Sequence, residues 1–160
     1  MIATARVDRD DLGFLLAKAT QRWNELLAER FADQGYGDVR PSYGSVLLPL
    51  YEKDGLRMGE LATRARLSKQ TMTRSIARLE RDGLVERRID PSDARAALVY
   101  LTTRARSFEP VAAVVLAELD ILVKRQLGAQ RVAAVKVALR ELMDLDGRSA
   151  PSPPATIYTP

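Results

Sequence analysis

Between residues 67 and 102 the spacing of apolar side chains changes once. In "LSKQTMTRSIARLERDG", Met72, Ile76 and Leu79 recur at steps of four and three, which gathers them on one side of an α-helix. Beyond Gly83 that spacing stops. "LVERRI" and "AALVYLT" bracket a turn-rich "DPSDAR", the mark of two short β segments joined as a hairpin. Ser68 supplies an N-cap hydroxyl and Gly83 a residue able to close the helix, so the pattern predicts a helix over 69–82.

The flanks read as helices. Over 8–34, Leu12, Leu15, Leu16, Ala19, Trp23, Leu26, Leu27 and Phe31 form one apolar stripe, with Asp8, Asp10 and Asp11 suited to the N-terminal dipole and "GYG" at 35–37 as the break. Pro41 opens a second helix, "PSYGSVLLPLYEK". Pro49 inside it removes the bond to the Ser45 carbonyl and predicts a kink before "KDG" ends the element. "MGELATRAR" is a short helix with Leu61, Ala62 and Ala65 inward. Helical spacing returns from 102 or 103 to 126, with Pro110 predicting a bend or a frayed first turn, and after Gly128 in "AQRVAAVKVALRELMDL". The terminal helices are apolar over more than one face, which calls for a second covering surface such as a partner subunit. "GRSAPSPPATIYTP", 147–160, is rich in Pro and Ser and is read as a flexible tail.

At 160 residues and 46% hydrophobic, the chain can bury one core, and 1–160 is read as a single unit. It has no Cys and no His, which removes disulfides, thiolate chemistry, and the commonest zinc ligand and general base. Asp8, Asp10 and Asp11 are explained by the helix dipole, and Ser68-Lys69 by capping and phosphate contact. No catalytic residue, metal site or cofactor is therefore expected, and the chain is not read as an enzyme. No apolar run reaches a membrane-spanning length and the N-terminus lacks a signal-peptide core, so a soluble, cytoplasmic protein is expected.

The net charge is +4, and its location is informative. From Arg57 to Arg95 ten basic residues face six acidic ones, whereas the rest of the chain holds fifteen of each. Charge concentrated in one quarter of a chain suits a polyanion. With Met72, Ile76 and Leu79 turned inward, Gln70, Arg74, Ala77 and Arg81 point outward, flanked by Thr73 and Arg78. Arg pairs with guanine, Gln with adenine, and a Thr methyl meets a thymine methyl, so the N-terminal half of this helix is equipped to read base edges in a major groove. A short helix, a tight turn, this helix and the hairpin make a winged helix-turn-helix. Near the wing tip, Asp93 is expected to orient the Arg95 guanidinium toward a minor groove. The fold class is thus mainly α with a small β-wing, the winged helix-turn-helix over 41–102 lying between helices at 8–34 and 103–146.

The stretch "MGELATRARLSKQTMTRSIARLERDGLVERRIDPSDARAALVYLT" resembles the DNA-binding lobe of MarR-type (multiple antibiotic resistance regulator) transcription factors. The matching positions are Leu79-Glu80, Gly83-Leu84-Val85, Arg87, Asp93, Arg95, Val99 and Leu101-Thr102. The resemblance implies a homodimer held by the first and last two helices, bound to a pseudo-palindromic double-stranded DNA operator and usually repressing until a small organic effector releases it. Two positions depart from the family pattern: Arg66 stands in the turn where Gly is common, and Ala105 follows the wing where Gly is frequent. Gln70, Thr73 and Arg74 are assigned to base edges, Ser68, Lys69, Thr71 and Arg78 to phosphates or nearby bases, and Asp93 with Arg95 to the minor groove. One of Arg87 and Arg88 is expected to face phosphate, since strand side chains alternate. The resemblance also implies an effector pocket, for which Trp23, Tyr43, Leu47 and Tyr51 are candidates; the same residues serve equally as plain core. A winged-helix module for protein contact or sequence-independent nucleic-acid binding is the competing reading.

Overall fold

A computed structural model describes residues 8–145, so the tail read as flexible lies outside the described residues. Helix α1 (Leu12–Asp33) begins at Asp11, whose carboxylate accepts the Gly13 and Phe14 N–H groups at 2.9 and 3.3 Å. Asp11 is therefore a true N-cap and not only a dipole partner. Pro41–Tyr43 form a 3-10 turn that leads into α2 (Gly44–Glu52), so the second helix starts tighter than its sequence suggests, and Pro49 lies inside it. A two-residue strand, β1 (Leu56–Arg57), precedes α3 (Met58–Arg64) and α4 (Lys69–Arg81). The hairpin is β2 (Val85–Asp90) and β3 (Asp93–Leu101), turning at Pro91-Ser92. Helices α5 (Thr103–Leu127) and α6 (Ala129–Met143) follow, and α5 runs unbroken through Pro110.

The sheet is antiparallel in the order β1-β3-β2, with Leu56 opposite Val99 and Val85 opposite Leu101. The hairpin therefore gains a third strand that two residues were too short to announce. Met72, Ile76 and Leu79, the seam expected of α4, are fully buried with Leu56, Leu61, Leu84 and Val99. Burying side chains of this size is worth roughly 1.5–3 kcal/mol each.

The described chain divides into two compact units within α5, one through Ala117 and one from Glu118. In the first, Leu27 and Phe31 of α1 are buried, and Phe31 meets Phe108 of α5 edge to face at 4.9 Å. The N-terminal half of the α1 stripe is not covered: Leu12 is 61% exposed and Leu15 46%. In the second unit Asp120 holds both Lys124 and Lys136, at 2.6 and 2.7 Å, while Ile121, Leu122, Val135 and Leu139 stand exposed. Among the described residues no helix is long and apolar enough to cross a membrane.

Candidate nucleic-acid interface

The face offered by α4 follows from how its two ends are built. Ser68 accepts the Thr71 N–H at 3.1 Å and its hydroxyl lies 2.8 Å from that of Thr71, so both side chains serve the N-cap. Thr73 donates its hydroxyl to the Lys69 carbonyl at 2.9 Å, which spends the O–H on the helix and leaves its methyl for contact. With the seam buried, Lys69, Gln70, Arg74 and Arg78 are exposed.

Ion pairing separates the bases of this region into two groups. Arg57, Arg64, Arg81, Arg87 and Arg88 each have a carboxylate partner: Asp90, Glu60, Asp82, Glu80 and Glu86. Lys69, Arg74, Arg78 and Arg95 have none among the described residues. These four bases lie on the outer face of α4 and on the wing. Of Arg87 and Arg88, one of which was expected to face phosphate, the first is engaged by Glu80, and the second lies over the Tyr100 ring at 4.5 Å besides its pair with Glu86.

The wing is organised differently from the expectation that Asp93 orients Arg95. The Asp93 carboxylate accepts the Arg95 backbone N–H at 3.0 Å, fixing the turn and leaving the guanidinium to solvent. The carboxylate that ties a guanidinium is the buried Asp90. It accepts from the Ser92 N–H and hydroxyl at 2.8 and 2.7 Å and from Arg57 Nε at 2.7 Å, so the wing tip is fastened to β1. These hydrogen bonds, those of Ser92 foremost, hold the Asp90 pKa below the usual carboxylate value.

Three helix ends share one backbone arrangement. After α1, Tyr36 N–H reaches the Phe31 carbonyl and Gly35 N–H that of Ala32; after α4, Leu84 reaches Leu79 and Gly83 reaches Glu80; after α3, Leu67 reaches Ala62 and Arg66 reaches Thr63. Each is a Schellman cap with its key residue left-handed. That residue is Gly35 (φ 82°) and Gly83 (φ 70°) in two of them and Arg66 (φ 53°) in the third. A left-handed conformation costs a residue with a Cβ roughly 1–2 kcal/mol.

A cavity of about 340 Å³ lies in the first unit among α1, α2 and α5, its wall including Leu27, Phe31, Val39, Arg40, Leu47, Tyr51, Phe108 and Glu109. Of the four pocket candidates, Leu47 and Tyr51 line it. Trp23 is half-buried elsewhere, and Tyr43 is buried with its hydroxyl donated to the Asp82 carboxylate. The Tyr51 hydroxyl donates to the Ala105 carbonyl at 2.9 Å, and burial, reinforced by the Glu109 charge, pushes its pKa up to about 12. Ala105 itself is fully buried.

The MarR family model matches residues 41–97. Among characterised relatives, the HTH-type transcriptional regulator TtmR of Methylorubrum extorquens (strain PA1) is 38% identical over 64 residues, covering 40% of this chain and 33% of TtmR. The transcriptional regulator HosA of Escherichia coli O111:H- is 32% identical over 88 residues, covering 55% of this chain and 58% of HosA. The chain thus aligns with a third of one relative and somewhat over half of the other. Structural likeness extends further. A probable transcriptional regulator from Pseudomonas aeruginosa superposes with a TM-score of 0.72 at 26% identity, over 83% of this chain and 97% of that one. A point mutant of MarR from E. coli, complexed with operator DNA, gives 0.71 at 27%, over 82% and 93%. Residues 41–97 thus match the MarR family, and the fold around them is similar to that of MarR from E. coli.

Within this fold, α4 and its N-cap bring Ser68, Lys69, Gln70, Thr71, Thr73, Arg74 and Arg78 together, with Asp93 and Arg95 on β3 of the wing. Sequence reasoning missed Arg57 and Asp90, and also Arg104. Arg104 holds Asp38 at 2.6 Å and donates to the Asp82 carbonyl at 2.6 Å, joining the start of α5 to the C-cap of α4. Residues 38–44 therefore serve twice. Val39, Arg40, Pro41 and Gly44 line the cavity, while Asp38 and Tyr43 bind the groups that end α4.

Proposed function

We propose that this chain is a transcriptional regulator that binds a specific DNA sequence as a homodimer, on an operator with inverted repeats. The observation that carries the reading is where charge is left unpaired between Arg57 and Arg95: Lys69, Arg74 and Arg78 on the outer face of α4 and Arg95 on the wing have no carboxylate partner among the described residues. An ion-paired arginine needs no outside partner; an exposed row of unpaired ones suits a polyanion. Gln70, Thr73 and Arg74 read base edges in the major groove. Ser68, Lys69, Thr71 and Arg78 meet phosphate, and Arg95, on a turn shaped by Asp93, reaches the minor groove. The operator complex of the E. coli MarR mutant, a structural neighbour at 27% identity, supports a DNA partner. The regulators TtmR and HosA support a role in transcription.

Dimerisation is supported by apolar surface that each unit leaves in water: Leu12 and Leu15 in the first, Ile121, Leu122, Val135 and Leu139 in the second. The cavity is the effector site of this reading, taking a small organic molecule that is mostly apolar, with Arg40 and Glu109 as its charged neighbours. Its occupant lowers operator affinity by favouring a dimer whose α4 helices are wrongly spaced, and residues 38–44 transmit the change because they contact both cavity and α4 C-cap. Binding then represses, and the effector relieves it.

Selection of bound duplexes from a random pool tests this. Enrichment of an inverted repeat supports the proposal. Binding without enrichment marks a sequence-independent module, and no binding leaves the winged helix as a protein-contact module; either removes the proposal.

A further inference from the structure

We propose that the cavity among α1, α2 and α5 takes a zwitterionic molecule, a small apolar body with an anionic group held by Arg40 and a cationic group held by Glu109. The inference rests on the effector reading above and names its ligand class. Among the described residues lining the cavity, all but three have apolar side chains or none, Phe31, Leu47, Phe108 and Leu116 among them. The three are Arg40, Tyr51 and Glu109. Tyr51 is already committed, since its hydroxyl donates to the Ala105 carbonyl. The Arg40 and Glu109 side chains have no hydrogen bond or ion pair among the described residues, with each other or with any neighbour. Charges that tie the surrounding segments together are matched, Arg104 to Asp38 and Arg106 to Asp54. The two on the cavity wall are not.

These two charges also stand on different sides. Arg40 opens the 3-10 turn that leads into α2, and Glu109 lies on α5. The Asp82 carboxyl is held below the usual carboxylate range chiefly by the Tyr43 hydroxyl, with the Arg81 and Arg40 charges adding to it. The Tyr51 hydroxyl is pushed up first by burial and then by Glu109. Arg40 is therefore felt toward the C-cap of α4, and Glu109 toward the start of α5. A bound anion would answer Arg40 and leave Glu109 unmatched against an apolar body, and a cation would do the reverse. One molecule with both groups, set apart, answers both. The planar fork of Arg40 suits a carboxylate or another oxyanion, and Glu109 suits an ammonium. A volume of about 340 Å³ is at the lower end for ligand pockets, so the body is small. Through Arg40 the anionic end also reaches α4, because the same charge bears on Asp82.

Isothermal titration calorimetry without DNA tests the class with probes of like shape. Para-(aminomethyl)benzoate and para-(aminomethyl)phenylacetate carry both charges, para-methylbenzoate only the anion, para-methylbenzylamine only the cation, and para-methylbenzyl alcohol neither. At least one zwitterion is expected to bind roughly five- to tenfold more tightly than either singly charged probe. Arg40→Gln should remove its advantage over the amine, and Glu109→Gln its advantage over the carboxylate, with melting temperatures unchanged. Absence of zwitterion binding, equal binding of all probes, or an advantage that survives both substitutions overturns the inference. The probe comparison on the natural chain decides it even if a variant fails to fold. The same probes are then added to the duplex selected by the natural chain, where the zwitterion should weaken binding at concentrations at which the singly charged probes do not. Zwitterion-selective binding in a chain that holds no duplex, or whose duplex is not released, supports the ligand class and removes the effector reading; a chain that selects an inverted repeat but binds all probes alike removes this inference alone.

Discussion

Arg74 and Arg78 lie one turn apart on α4, both exposed and neither with a carboxylate partner among the described residues, yet they are assigned different work. Arg74 shares the outermost face with Gln70. Arg74→Ala should therefore relax preference at a single base pair, with about 1–3 kcal/mol of discrimination lost there, as read from affinities for a panel of point-substituted duplexes. Arg78 sits on the flank, and Arg78→Ala should weaken all duplexes alike and lower the salt slope by about one per protomer. At this scale the sequence was informative wherever a role is local. Ser68 as N-cap, the seam of Met72, Ile76 and Leu79, and the outward Gln70 and Arg74 all follow from positions within one helix. Asp90 was not legible in the same way. It lies in a turn-forming run, and its bond to Arg57 spans 33 positions, so nothing local distinguished it from Asp93.

The wing is held as an element by the Asp90 cluster, and that gives it an acid limit. The folded pKa of Asp90 is lowered by Ser92 and Arg57, below the unfolded value of about 3.9. Its contribution to stability is thus complete above the unfolded pKa and is lost as pH falls through the folded one. Asp38, Asp82 and Asp120 are lowered too, each chiefly by a side-chain hydrogen bond: from Arg104, Tyr43 and Lys124 respectively. Urea midpoints measured between about pH 5 and pH 2 should fall with pH, and Asp90→Asn should flatten that decline while lowering the midpoint at pH 5. An unchanged pH profile in Asp90→Asn would show that Asp90 carries no such linkage. Element boundaries were readable at Ser68 and Gly83, where a cap marks them, whereas α1 starts at Leu12 and not at 8, because Asp11 caps it. The strand β1 was not, since two residues cannot display a period and its pairing with Leu98 and Val99 is a tertiary event. Likewise the junction of Asp38, Tyr43, Asp82 and Arg104 joins three separate segments, and Tyr43 read alone suggested a cavity wall.

For the whole molecule, the exposed apolar residues of the terminal helices were foreshadowed by stripes too wide for one face. Which residues stay exposed depends on packing: Leu27 and Phe31 are covered while Leu12 and Leu15 are not. If those surfaces meet a second copy, Leu139→Glu should shift the protein from dimer to monomer in sedimentation equilibrium, and operator affinity should fall with it. A variant that stays dimeric would place the interface elsewhere. The central claim is that two copies of α4 and two wings read one duplex. Hydroxyl-radical footprinting on the selected inverted repeat tests it most directly, comparing the natural chain with Arg95→Ala. The account predicts symmetric protection around two half-sites about one helical turn, roughly 10 bp, apart, with flanking minor-groove protection lost in Arg95→Ala and the central pattern retained. A single asymmetric footprint, or flanking protection that survives without Arg95, would contradict it.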